Sequence, residues 1–228
     1  MSSKKDNAPN SRLQYPFAMK RRPPTGFTLI EMITVVAVIV VLAGLVIATS
    51  GWAFAKANKT KAQGLMKDIK GSCEAYRIDN GAFPRDEDTD ELDPRVDVNP
   101  NDTKYRKANV YLYSALANDF LPEDSPDGEP DDKNKVYKVF RPSELSANKK
   151  TDGRIEKVKY IQDPFGLPFG YSTAAAKMEQ EYREGVRKNP TLPRPKELKG
   201  YNSTMDLWST AGGTTISQKP KWVKDWAE

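Results

Sequence analysis

Gly26-Phe27-Thr28-Leu29-Ile30-Glu31 opens the stretch that decides the fold, and the 24 residues that follow it, Met32 to Ala55, carry no formal charge. As an α-helix that run extends roughly 36 Å at about 1.5 Å per residue, enough to cross a hydrocarbon core of about 30 Å. Glu31 stands one residue before the run and four after Phe27. A lone ionised side chain at the bilayer centre costs about 2.5–3.5 kcal/mol on insertion scales, less near an interface, so a carboxylate here calls for a partner. The plain alternative is snorkelling, because a side chain near the helix end still reaches headgroup water. Trp52, at the far end, suits the opposite interface.

Upstream, residues 1–26 hold Lys4, Lys5, Arg12, Lys20, Arg21 and Arg22 against Asp6, a net charge of +5. The whole chain carries 36 basic and 31 acidic side chains, so the part beyond Gly26 is close to neutral. That balance gives no support to a nucleic-acid surface. Lys20, Arg21 and Arg22 adjoin the apolar segment, and the positive-inside tendency puts them in the cytoplasm and the remaining chain outside. Ala53-Phe54-Ala55 has the small-x-small form of a signal-peptidase site, which offers a competing model with a mature chain starting at Lys56. A signal peptide has an apolar region of about 7–15 residues, shorter than this one, and gives no reason for Glu31.

Downstream, Ala62, Leu65, Ile69, Cys73 and Tyr76 recur at spacings of three and four, the stripe of an amphipathic helix that continues the apolar segment. One helix from Phe27 to about Asp79 would be roughly 80 Å long and would lay its outer half on a sheet. Gly44, Gly51, Gly64 and Gly71 weaken it locally, and Gly44 with Ala48 allows close approach of a neighbouring membrane helix. Asn80-Gly81 stops the helix, and Phe83-Pro84 begins an extended exit.

Asp86 to Asp102 is acidic, contains proline and lacks apolar periodicity, so it reads as a surface loop. Val110, Tyr113, Leu116, Ala117 and Phe120 fit one face of a short helix ended by Leu121-Pro122. Glu123 to Lys135 carries Asp124, Asp127, Asp131 and Asp132 among Pro126, Gly128 and Pro130, without the spacing and closing glutamate of an EF-hand, and reads as a solvated loop. Val136 to Phe140 and Lys157 to Ile161 have strand composition, and Asp163-Pro164-Phe165-Gly166 turns the second into Leu167 to Tyr171 as a hairpin. Ala174 to Lys188 is rich in helix formers and ends before Asn189-Pro190. Thr204 to Ser209 alternates like an edge or half-buried strand, followed by Ala211-Gly212-Gly213 and a tail with Trp222 and Trp226.

The order Lys20-Arg21-Arg22-Pro23-Pro24-Thr25-Gly26 followed by Phe27-Thr28-Leu29-Ile30-Glu31 resembles the processing site of type IV pilins and type II secretion pseudopilins. The helix exit Tyr76 to Pro84, the string Asp163 to Tyr171 and the strand Asp206-Leu207-Trp208-Ser209 are similar to motifs of the major pseudopilins. The resemblance implies that a prepilin peptidase cuts after Gly26 and methylates Phe27, and that Glu31 meets the amino terminus of a neighbouring subunit during assembly. It also implies a calcium-binding loop after Asp206. Here no carboxylate follows Asp206 until Asp225, which leaves these two as the candidate metal ligands and calcium as an open question. Many type IV pilins close a carboxy-terminal loop with a disulfide, which a chain with one cysteine, Cys73, cannot do. Cys73 falls on the apolar helix face, as a small buried hydrophobe would.

The chain contains no histidine, which excludes His-based triads and His metal ligation, and no phosphate-binding glycine loop is present, so a structural protein rather than an enzyme is expected. The reading is α+β: a leader 1–26, a membrane helix 27–55, its continuation 56–80, and a pilin-like domain 81–228 outside the inner membrane. Such a subunit would polymerise with identical and minor pseudopilins on an inner-membrane secretion platform and support protein export, with its globular part periplasmic. An adhesive or DNA-uptake pilin and a non-polymerising, membrane-anchored envelope binding domain are the other readings.

Overall fold

The computed structural model describes residues 26–120, 126–131 and 135–226, without the side chains of 48–50. The leader up to Thr25, and the expected features at Leu121-Pro122, Glu123, Asp124 and Asp132, lie outside the described residues. The chain divides into two units, Met1–Thr49 and Ser50–Glu228. Helix α1, Leu29–Asn80, contributes to both. In the first unit its apolar side chains are exposed among the described residues, Leu29, Ile33 and Val40 among them. By length and composition α1 is able to cross a membrane.

In the second unit the stripe turns inward: Ala62, Ile69 and Cys73 are buried, Leu65 and Tyr76 partly so, and Met66 joins them. Gly81 ends α1 with φ +78, and its N–H reaches Arg77 O at 2.8 Å. That left-handed position is one glycine occupies freely.

Two further helices follow. α2 is the short Glu87–Glu91, opened by a capping box in which Asp86 accepts from Thr89 N and Thr89 Oγ1 accepts from Asp86 N. This corrects the surface-loop expectation for Asp86 to Asp102. Thr89, Asp90, Leu92 and Asp93 are buried because side chains hold the turns: Arg85 Nε pairs with Asp90 at 2.8 Å and Thr173 Oγ1 donates to it. α3, Thr103–Ala117, is longer than its five-residue stripe predicts and also buries Tyr105, Ala108, Asn109 and Leu112. It ends at Asn118, in left-handed conformation, and Phe120 stays largely exposed.

The sheets are small and antiparallel. β1, Leu145–Lys149, pairs with β2, Ile155–Ile161. β3, Gly170–Ser172, precedes helix α4, Ala174–Lys188, and then pairs with β4, Asp206–Ser209, which also pairs with β5, Val223–Lys224. The strand expected at Val136 to Phe140 is absent, since the N–H groups of Tyr137 and Lys138 both turn to Leu116 O instead of a ladder. The hairpin expectation is half met: the Asp163–Gly166 turn forms and Gln162 bridges Pro168, but β2 and β3 belong to different sheets. β4 is central and buried along its whole length rather than an edge. Trp208 lies over Gly170 across the ladder, where a Cβ would stand 2.0 Å from the indole.

Asn109 joins the sheets to α3. Its Nδ2 donates to Ile161 O at 3.2 Å and Phe169 O at 2.8 Å, and its Oδ1 accepts from Ile161 N. The main core gathers α1, α3, β2 and the three-stranded sheet around Leu112, Ile161, Phe169 and Leu207. A second cluster packs Trp208, Trp222 and Trp226 with Leu92, Tyr105 and Ala108.

Candidate functional site

Thr28 is the residue before the first turn of α1, and its side chain does the work of a helix cap. Thr28 N and Oγ1 both donate to Glu31 Oε2, at 2.9 and 2.8 Å, and Glu31 N reaches back to Thr28 Oγ1 at 3.3 Å. This reciprocal arrangement satisfies amide groups that a helix start leaves without intrahelical partners. The Glu31 carboxylate is therefore folded back toward the amino-terminal side. Gly26 and Phe27 lie outside the helix, with Phe27 80% exposed. The structure brings Glu31 beside Thr28, a partner the charge argument passed over. The signal was in the sequence: Thr-x-x-Glu ahead of an apolar run is a capping box.

The second pair of candidates, Asp206 and Asp225, lies at the carboxy-terminal strands. Asp206 accepts from Tyr201 N and Asn202 N, both at 2.8 Å. Burial pushes its carboxyl up to about 6, with Asp225 and Asp93 adding to the rise against those two backbone donors. Asp225 Oδ1 accepts from Leu207 N at 3.1 Å and Asn202 Nδ2 at 3.2 Å, while Oδ2 faces Lys70 Nζ at 3.2 Å. Both carboxylates thus direct their lone pairs at N–H groups. A hard divalent cation needs several converging oxygens, and among the described residues no group of three or more acidic or cysteine side chains is placed to hold one. This donor set does not fit calcium.

Cys73 is buried, and burial raises its thiol well above the ordinary range, which leaves it unreactive. Asp163 ties the Asp163–Gly166 turn to β4: its Oδ1 accepts from Phe165 N and Leu167 N, and its Oδ2 from Ser209 Oγ.

Residues 21–47 match the family model described as the prokaryotic N-terminal methylation motif. The match covers the amino-terminal apolar segment, and the α+β unit that follows lies outside the matched residues. The particular likeness is to Type II secretion system core protein G of Pseudomonas aeruginosa PAO1, 39% identical over 66 residues. Those residues are 29% of this chain and 46% of that protein, so the chain spans about half the length of the curated relative it matches. No solved structure matches.

Proposed function

We propose that the chain is a type II secretion pseudopilin: made with a cytoplasmic leader of residues 1–26, cut after Gly26 by a prepilin peptidase, and methylated on Phe27. The mature subunit waits in the inner membrane with residues 27–55 spanning it and the globular part in the periplasm. It then polymerises with copies of itself and with minor pseudopilins on the secretion platform, and the filament supports protein export. Its role is structural.

The observation that carries this reading is the Glu31 carboxylate beside Thr28 at the start of an apolar helix whose side chains are exposed among the described residues. Neighbouring helices would cover those side chains in a filament. Cleavage after Gly26 would expose a new positive amine at Phe27, four residues before Glu31, and the same amine on a neighbouring copy is the charge that Glu31 would pair with. Such a pairing is strong in a low-dielectric setting and also fixes the register between helices.

Glu31→Ala, made in the full-length protein, tests the assembly role. The variant is expected to be processed and inserted normally yet to be lost from sheared filaments by at least tenfold, as scored by immunoblot. Normal incorporation would overturn the role of Glu31. Amino-terminal sequencing of the wild type tests the processing role: methylated Phe27 is expected, and a chain beginning at Lys56 would overturn it.

A further inference from the structure

The carboxy-terminal loop has the reverse of a cation site's polarity. Between Thr210 and Gln218 its N–H groups converge on oxygen: Gly213 N donates to Thr210 O at 2.9 Å, while Thr214 N, Thr215 N and Thr215 Oγ1 all donate to Gln218 Oε1 at 2.9–3.2 Å. A calcium loop turns carbonyl and carboxylate oxygens inward instead. Among the described residues, the buried side-chain polar atoms without a hydrogen-bond partner are Thr210 Oγ1 and Trp222 Nε1, one neutral oxygen and one N–H donor. That is too little for a hard dication.

The positive charge at this end of the molecule comes from the protein. Lys70, on α1, places Nζ 3.2 Å from Asp225 Oδ2, and the two side chains are 46% and 8% exposed. Asp225 passes the link onward, through Asn202 Nδ2 and Leu207 N on its Oδ1, and its own N–H reaches Leu207 O at 3.2 Å. One ammonium group thus fastens the long helix to the segment after β5 and to the start of β4.

We propose that Lys70 and Gln218 together close the carboxy-terminal region without a divalent cation, Lys70 supplying the positive charge and Gln218 the inward-facing oxygen. The fold of this subunit is then indifferent to calcium and to chelators, unlike what the family resemblance implies. The proposal stands apart from the assembly role, since it concerns the closure of the globular unit alone.

Calorimetry on the full chain in detergent micelles tests it. Millimolar calcium and excess EDTA are expected to give the same Tm within about 1 °C, because a ligand that binds only the folded state shifts Tm upward and none is bound. Lys70→Met, which keeps the aliphatic stem, is expected to lower Tm by about 3–8 °C, with Lys70→Arg recovering most of the loss. High salt is expected to narrow the gap between wild type and Lys70→Met, as screening weakens the half-exposed pair. A lower wild-type Tm in EDTA, or a higher one in calcium, would overturn metal independence. An unchanged Tm in Lys70→Met would overturn the assignment to Lys70. Should Lys70→Met fail to fold, the wild-type comparison still decides the first point, and Gln218→Leu, expected to lower Tm without gaining a calcium response, decides whether the loop closes on its own side chain.

Discussion

Thr28 and Glu31 show how a helix start holds a carboxylate beside an apolar segment. In the isolated subunit the carboxylate is held by the Thr28 amide and hydroxyl, so it does not stand alone at the edge of an apolar segment. Under the proposed assembly, a neighbour's amino terminus would bring an opposite charge to a carboxylate whose bonds to Thr28 are already charge-assisted. Loss of an N-cap group costs about 0.5–2 kcal/mol. Thr28→Val keeps the shape and removes the hydroxyl, so hydrogen exchange at the Leu29 to Met32 amides in micelles is expected to speed up roughly 2- to 30-fold, with the amides around Ile69 unchanged. Equal exchange rates in the two proteins would show that the cap does not hold the helix start.

At the scale of elements, legibility followed the strength of local signals. α4 matches the helix-former run from Ala174 to Lys188, and α1 ends at the Asn80-Gly81 stop. β1 escaped because Leu145-Ser146-Ala147-Asn148-Lys149 has little strand propensity and owes its conformation to pairing with β2. Val136 to Phe140 misled for the opposite reason: strand composition without a ladder partner, since Leu116 O captures its donors. The acidic segment Asp86 to Asp102 hid its order in side-chain bonds that periodicity does not record. Around the candidate carboxylates, the turn amides that face Asp206 and Gln218 are near in sequence but carry no residue pattern, and the contacts of Asp225 with Lys70, Asn202 and Leu207 emerge only when distant residues meet. Asn109 is the clearest case of such a meeting, since α3 holds the ends of β2 and β3 through that one amide. Asn109→Leu, similar in size, takes this partner from Ile161 N and Phe169 O, while Ile161 O keeps Phe169 N at 3.2 Å, and each buried group so deprived costs about 1–3 kcal/mol. A net loss of about 3–5 kcal/mol is expected, read as a lower urea midpoint with an unchanged slope. A loss under about 1 kcal/mol would mean the strand ends find other partners and the amide is not a clamp.

For the whole molecule, the buried carboxylates set how stability depends on pH. Burial raises the carboxyls of Asp86, Asp119, Asp163 and Asp206, the last to about 6, against about 3.9 in an unfolded chain. Between those two values the folded chain binds more protons than the unfolded one, so stability rises as pH falls through the window from about 6 to about 4. Asp79, Asp152 and Glu179 are shifted the other way by hydrogen bonds from Lys135, Arg154 and Arg183. Their contribution is lost only as pH falls below about 4, and solvent screens it. The full chain carries a net charge of only +5 over 228 residues, so general charge repulsion adds little slope of its own and the buried groups dominate. The full chain in micelles is therefore expected to melt higher near pH 5 than near pH 7.5. Asp206→Asn removes the group with the largest rise and keeps one acceptor for the Tyr201 and Asn202 amides, so it is expected to narrow that difference while changing Tm little near pH 5. A wild-type Tm that falls on acidification from about pH 7.5 to about pH 5 would mean that lowered surface carboxylates, not the buried ones, govern the fold.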